Sequence, residues 1–321
     1  MLFEKFASAE LDAGWTAIQQ AVHASMEQPV AAIEFLENLY DSLDDLQTKL
    51  YLFSPQIVLR IDSQNALDAA VLCETPRLPD HRQGLEEGLR GLLGWLVNQE
   101  RISEAQGWAQ LSRCLLDNLD DLSYLDRGAQ LSLFCIGDRT SRFYLNLQPL
   151  GRKARLELLK HFDPSGLYEK ALTLSELEGL SLGGVGFEVK SVGFRTKFYV
   201  RGRLAALRRG VREGFKNVVL PSLEQFDSKG FIHDAMDAEI ALEMSPNGQL
   251  RQKWVYFVDE PARGARCIEH WLSASAYKDK AFELMEILGG EKCLFALGSE
   301  LETGSTHPSR VNVYLRRARA G

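Results

Sequence analysis

One stretch constrains the fold more than any other: Gly193-Phe194-Arg195-Thr196-Lys197-Phe198-Tyr199-Val200-Arg201. In an extended strand successive side chains point to opposite faces, so Arg195, Lys197, Tyr199 and Arg201 share one face while Phe194, Phe198 and Val200 share the other. One face is cationic and aromatic, and the other is apolar. The design recurs at Arg142-Phe143-Tyr144, at Gln252-Lys253-Trp254-Val255-Tyr256 and at Arg310-Val311-Asn312-Val313-Tyr314. Tyr144, Tyr199, Tyr256 and Tyr314 are separated by 55, 57 and 58 residues, the spacing of a repeated unit. A second strand-like run precedes each of them: Gln130 to Ile136, Gly186 to Val192, Glu239 to Met244, and Lys292 to Leu297. Turn residues lie between the two runs, so each unit reads as a β-hairpin.

A further hairpin opens the series, with Gln56 to Asp62 alternating up to the turn Ser63-Gln64-Asn65 and a short run from Leu67 to Cys73. Between hairpins the period changes to that of a helix. Leu11, Trp15, Ile18 and Val22 form one stripe, and Ile33, Leu36, Leu39, Leu43, Leu46 and Leu50 form another. Arg82 to Leu96 carries a third, in Leu85, Leu89, Leu92 and Leu96, and Ser103 with Gln106 makes a capping box for a helix through Leu116. Arg152 to Phe162, Leu167 to Leu177 and Leu204 to about Phe226 are also helical by pattern, and Gly179 to Gly186 reads as a Gly-rich connection. One more helix carries Ile268, Trp271, Leu272, Met285 and Leu288 and ends at Gly289-Gly290. Five hairpins alternating with helices predict an α+β fold, a ten-stranded antiparallel barrel ringed by helices, because so long an open sheet would leave two edges exposed. The repeat runs without a linker, so one domain spanning 1–321 is expected, with helices within 1–50 packing on the barrel. If helices cover the apolar strand faces, the polar faces converge in the lumen.

These motifs carry a resemblance. Arg195-x-Lys197-x-Tyr199, with Arg142-x-Tyr144, Trp254-x-Tyr256 and Asn312-x-Tyr314 in successive hairpins, resembles the aromatic prenyltransferases of the ABBA barrel fold. Gly186-Phe187-Glu188-Val189 and the C-terminal Arg310 to Tyr314 look most like the peptide prenyltransferases of cyanobactin-type pathways. The resemblance implies transfer of a dimethylallyl or geranyl group from its diphosphate to a nucleophilic acceptor, a peptide side chain or a small aromatic such as an indole or phenol. It implies a diphosphate site of Arg60, Arg142, Arg195, Lys197 and Arg310, lined also by Gln252 and Asn312. Tyr144, Tyr199, Tyr256 and Tyr314 would surround the allylic cation, whose charge a π face attracts. Removal of the acceptor proton needs a base, for which Glu188 is the first choice and Glu239 and Glu243 are alternatives. The acidic residue and the Arg that peptide prenyltransferases place in the first hairpin are here Gln56 and Ala70. Lys253 has the wrong parity relative to Tyr256 and is expected outside the site. Mg²⁺ is expected through the diphosphate alone, and as dispensable.

Composition narrows the alternatives. No apolar run approaches the roughly 20 residues of a membrane span, and no signal segment opens the chain, so a cytoplasmic location without membrane partners is expected. A net charge of -7 argues against a nucleic-acid partner. The five cysteines never form a CxxC pair, which indicates neither zinc nor a disulfide framework. A monomer is expected. The Asp-rich phrases Asp41 to Asp45 and Asp117 to Asp121 suggest the Mg²⁺-diphosphate clamp of all-helical isoprenoid synthases, but the strand content opposes that fold. A non-catalytic barrel binding a peptide or lipid is the third reading.

Overall fold

The computed structural model describes residues 2–25, 30, 33–34, 37, 56–62, 67–74, 102–117, 131–136, 142–146, 156, 159–160, 162–163, 166–191, 193–214, 232–244, 250–273, 275, 277–301 and 310–317. The strands are β1 (Gln56–Asp62), β2 (Leu67–Glu74), β3 (Leu131–Ile136), β4 (Arg142–Asn146), β5 (Leu180–Val189), β6 (Phe194–Arg203), β7 (Asp237–Met244), β8 (Leu250–Phe257), β9 (Leu294–Leu301) and β10 (Arg310–Arg316). They hydrogen-bond in the cyclic order β1-β10-β9-β8-β7-β6-β5-β4-β3-β2, a closed barrel. Every pairing is antiparallel. The ring closes through β1 and β10, which removes the exposed edges of an open sheet.

Helices sit between the hairpins: α1 (Leu2–Ser25), α2 (Ile102–Asp117), α3 (Leu167–Ser175), α4 (Leu204–Gly214), α5 (Pro261–Trp271) and α6 (Lys278–Leu288). Each turns an apolar stripe inward, as the period of its sequence requires. Leu204, Leu207 and Val211 of α4 and Ile18 and Val22 of α1 are fully buried, in one core with Phe198 and Val200 of β6. The core therefore lies between the barrel wall and the helices. Pro261 opens α5, where its missing N–H costs no hydrogen bond. Gly289 ends α6 with φ 109°, a left-handed conformation that suits glycine.

Two connections differ from the expected pattern. The stripe through Ile268 and Leu288 belongs to two helices, because α5 ends at Trp271 and α6 starts at Lys278. Apolar periodicity alone does not register a break whose flanking stripes both face the core. The Gly-rich segment that starts at Gly179 runs straight into β5, of which Leu180 to Gly186 are part, and there Gly183 is an extra residue, since the register with β6 shifts between Leu182 and Gly184. The second N-terminal helix as a continuous element, the helix from Arg82 to Leu96, the expected continuation of α4 from Phe215 to Phe226, and Asp44, Asp45, Asp120 and Asp121 lie outside the described residues. None of the described helices is long and apolar enough to cross a membrane.

Candidate active site

The lumen face of β6 sets the site. Phe198 and Val200 are fully buried under the helices, so Arg195, Lys197, Tyr199 and Arg201 turn to the other side. Their cross-strand neighbours extend this face around the wall. Glu188 of β5 pairs with Arg195, Gly186 with Lys197, and Gly184 with Tyr199. On β7, Glu243 pairs with Lys197, Ala241 with Tyr199, and Glu239 with Arg201.

Lys197 lies between two carboxylates, its Nζ 2.8 Å from Glu243 and 3.3 Å from Glu188. Arg195 also reaches Glu243 at 3.7 Å, and Lys190 at the end of the hairpin pairs with Glu188. Fixing a long cationic side chain between two partners lowers the entropy it must lose when it meets an anion. Beside this cluster the Tyr144 and Tyr199 rings stand 5.5 Å apart and tilted by 54°. They meet over Gly186, where a Cβ would lie 2.8 Å from Tyr144 Cε1 and 3.0 Å from Tyr199 Cε2. The glycine lets two rings cover one spot on the wall next to an ammonium group.

A second group lies on β8 to β10. Lys253 pairs with Ala241 on one side and Glu300 on the other, reaches Glu300 at 3.6 Å, and lies 5.1 Å from the centroid of the Tyr314 ring. Arg310 also reaches Glu300 at 3.6 Å, and fully buried Asn312 donates to its Oε1 at 3.4 Å. Arg60 of β1, only 3% exposed, is the register partner of Asn312. Phe295 is an extra residue where β9 slips against β10, and its ring packs edge-on to Tyr314 at 5.8 Å. Arg201 lies 4.4 Å from the Phe257 centroid.

Most of the sequence-derived residues fall on this lumen face, with two corrections. Gln252 and Tyr256 turn outward. Tyr256 is 1% exposed and packs against Trp271 of α5 at 6.2 Å, and Gln252 shares its strand face. Burial holds the Tyr256 phenol well above its usual range, which suits packing under a helix rather than a lining for a solvated lumen. The matching correction is Lys253, which faces the lumen. The register of β7 and β8 runs unbroken from Ala238–Tyr256 to Met244–Leu250, so alternation alone assigns Lys253, Val255 and Phe257 to one face. Arg142 is placed by its backbone as the register partner of Glu188, and its side chain lies outside the described residues.

The carboxylates are not equivalent. Glu188, Glu243 and Glu300 each face a cation within 4 Å. Glu239 makes no ion pair or side-chain hydrogen bond among the described residues. Although it keeps some exposed surface, protein atoms crowd its carboxylate, and this desolvation pushes its pKa up to about 7 against the weaker opposing pull of Arg201 and Lys253.

No protein-family sequence model matches the chain. Nor does any curated protein sequence. Solved structures do. A 5-dimethylallyltryptophan synthase from Streptomyces coelicolor, solved with DMASPP and Trp, superposes with a TM-score of 0.61 at 14% identity, over 97% of this chain and 96% of that one. A 6-dimethylallyltryptophan synthase from Micromonospora olivasterospora, also with DMASPP and Trp, gives 0.62 at 15% identity, over 97% of both chains. AnaPT from Neosartorya fischeri gives 0.56 at 10% identity, over 96% of this chain and all of its own. The antiparallel barrel ringed by helices is thus the fold of these ABBA-type aromatic prenyltransferases, matched over nearly the full length of each chain.

Proposed function

We propose that the protein is a prenyltransferase, which moves an isoprenyl group from its diphosphate to an aromatic acceptor inside the barrel. The observation that carries this reading is the placement of Lys197 and Arg195 beside the paired, tilted Tyr144 and Tyr199 rings on the lumen wall. Ionisation of an allylic diphosphate builds negative charge on the leaving oxygens and positive charge on the isoprenyl carbons. The first needs fixed cations and the second needs π faces without a nucleophile. In this reading Arg195, Lys197, Arg310, Arg60 and Lys253 hold the diphosphate, Arg142 joins them from β4, and Asn312 supports the Glu300 side of the wall. Tyr144, Tyr199 and Tyr314 line the path of the cation and keep water from it.

The acceptor in this reading is a small aromatic, in keeping with the tryptophan bound in two of the neighbours. A peptide side chain is the narrower reading from the sequence, and it rests on chain length, Gly186 to Val189 and Arg310 to Tyr314. A divalent ion such as Mg²⁺ would neutralise diphosphate charge when bound. The carboxylates nearest the proposed cradle, Glu188 and Glu243, are turned onto Lys197, and in this reading Mg²⁺ is held through the diphosphate oxygens.

Incubation with dimethylallyl or geranyl diphosphate and pooled indoles, phenols and peptides, followed by mass spectrometry, tests the reading. A mass gain of one isoprenyl unit on an aromatic acceptor is expected. Arg195→Ala and Lys197→Ala are each expected to weaken donor binding and slow transfer by roughly 10²-fold, because each removes a charge-assisted contact to developing charge. Donor affinity equal to the parent's in both variants would rule out this strand as the diphosphate site.

A further inference from the structure

We propose that Glu239 is the residue that takes the proton from the acceptor, and that Glu188 and Glu243 instead position Lys197. This inference rests on the prenyl-transfer reading. A base must be an unengaged carboxylate in the lumen with space beside it for a substrate atom. Glu188 and Glu243 fail the first condition, since both close on Lys197 and each has a second cation, Lys190 for Glu188 and Arg195 for Glu243. Glu300 fails it as well, held by Lys253, Arg310 and Asn312.

Glu239 meets both conditions. It stands one lumen position along β7 from Ala241, whose neighbours across the sheet are Tyr199 and Lys253. It is therefore one step from the tyrosine wall. The bulge in β5 shapes the wall at its carboxylate: a Cβ on Gly183 would press on Glu239 Oε2 at 3.3 Å, so the glycine keeps a side chain off the oxygen that is to take the proton. Gly298, the neighbour of Val255, keeps the adjoining wall small. The charged groups facing Glu239 are Arg201 from β6 and Lys253 from β8, neither of them within ion-pairing distance. Crowding by protein holds the carboxyl near 7, so at neutral pH it is both substantially ionised and basic enough to accept a proton.

The balance of the step is simple. The C–O bond of the donor breaks and its electron pair leaves with diphosphate. The aromatic π electrons form the new C–C bond, and the ring C–H pair then restores aromaticity as the proton passes to Glu239 Oε. For a heteroatom nucleophile the N–H or O–H proton takes the same path. The proton leaves to solvent when product departs.

The test is Glu239→Gln beside Glu188→Gln and Glu243→Gln, each with donor affinity, transfer rate at saturating donor, and the pH profile of transfer. Glu239→Gln is expected to slow transfer by about 10² to 10⁴-fold, the usual range for loss of a general base, while donor affinity stays within about threefold of the parent. In the parent, transfer rises with pH through about 7 as Glu239 loses its proton, and levels above it. That limb is expected to vanish in Glu239→Gln and to return, at a lower rate, in Glu239→Asp. Glu188→Gln and Glu243→Gln are expected to change donor affinity and keep the limb. Transfer in Glu239→Gln at the parent's rate with an unchanged limb would overturn the assignment to Glu239 and leave the prenyl-transfer reading standing. A parent that binds no isoprenyl diphosphate and prenylates no acceptor would overturn that reading itself.

Discussion

At the scale of single residues, charge and parity together decide what each lumen side chain can do. Lys253 shows this most clearly. A lysine on the helix-covered face of β8 would bury an ammonium among apolar groups at a cost of several kcal/mol, whereas on the lumen face it meets Glu300 and the Tyr314 ring. Lys253→Met is therefore expected to weaken donor affinity by at least about tenfold, the size of one charge-assisted contact, as measured by calorimetric titration. Tyr256→Phe is expected to leave donor affinity and transfer near parental and stability unchanged or slightly raised, because its buried hydroxyl makes no hydrogen bond among the described residues. The reverse pair of results would return Tyr256 to the lumen. The sequence misleads at this strand for a physical reason. Gln252-x-Trp254-x-Tyr256 and Lys253-x-Val255-x-Phe257 are both mixed polar and aromatic sets, and the near-constant tyrosine spacing favours the wrong one. The unpaired-charge penalty on Lys253 was the signal available to correct it. The near-neutral Glu239 is a different case, since its pKa arises from crowding by residues distant in sequence, and no local pattern encodes that.

At the scale of elements, the alternation of apolar and polar positions made the hairpins legible, and the bulges explain where the reading stopped short. β6 was readable because its two faces differ so sharply: Phe198 and Val200 are fully buried while Lys197 and Tyr199 line the lumen. β5 was readable only in its second half. The first half is Gly-rich because Gly183 bulges and Gly186 admits the two tyrosine rings, so glycines that look like a connection are wall positions emptied for neighbours. The same division of faces separates stability from chemistry on one strand. Phe198→Ala removes a fully buried ring between the wall and the helices and is expected to cost about 3 to 5 kcal/mol in denaturant unfolding, with donor affinity per folded molecule within about twofold of the parent. Lys197→Ala, one residue away, is expected to cost less stability than Phe198→Ala, because Glu188 keeps Lys190 and Glu243 keeps Arg195 as partners once the ammonium between them is gone. A strand whose two faces gave the opposite pattern would not be the wall of a lumen site.

At the scale of the whole molecule, closure couples the site to the fold. β1 and β10 are the first and last strands and are neighbours in the ring, and the cations proposed for the diphosphate are spread over β1, β4, β6, β8 and β10. An anion bound among them ties together strands that the loss of any one hairpin would separate. The barrel is therefore expected to unfold as one unit, and to do so later in the presence of donor. At a donor concentration one hundred times its dissociation constant the gain is about 2.7 kcal/mol, whatever the strength of any single contact. Differential scanning calorimetry with and without dimethylallyl diphosphate measures this. One transition that moves upward intact is the expected outcome, with the shift at the same donor concentration much reduced in Arg195→Ala and Lys197→Ala. Two transitions, only one of which responds to donor, would mean that the ring is not a single cooperative body and that fewer than five strands hold the diphosphate.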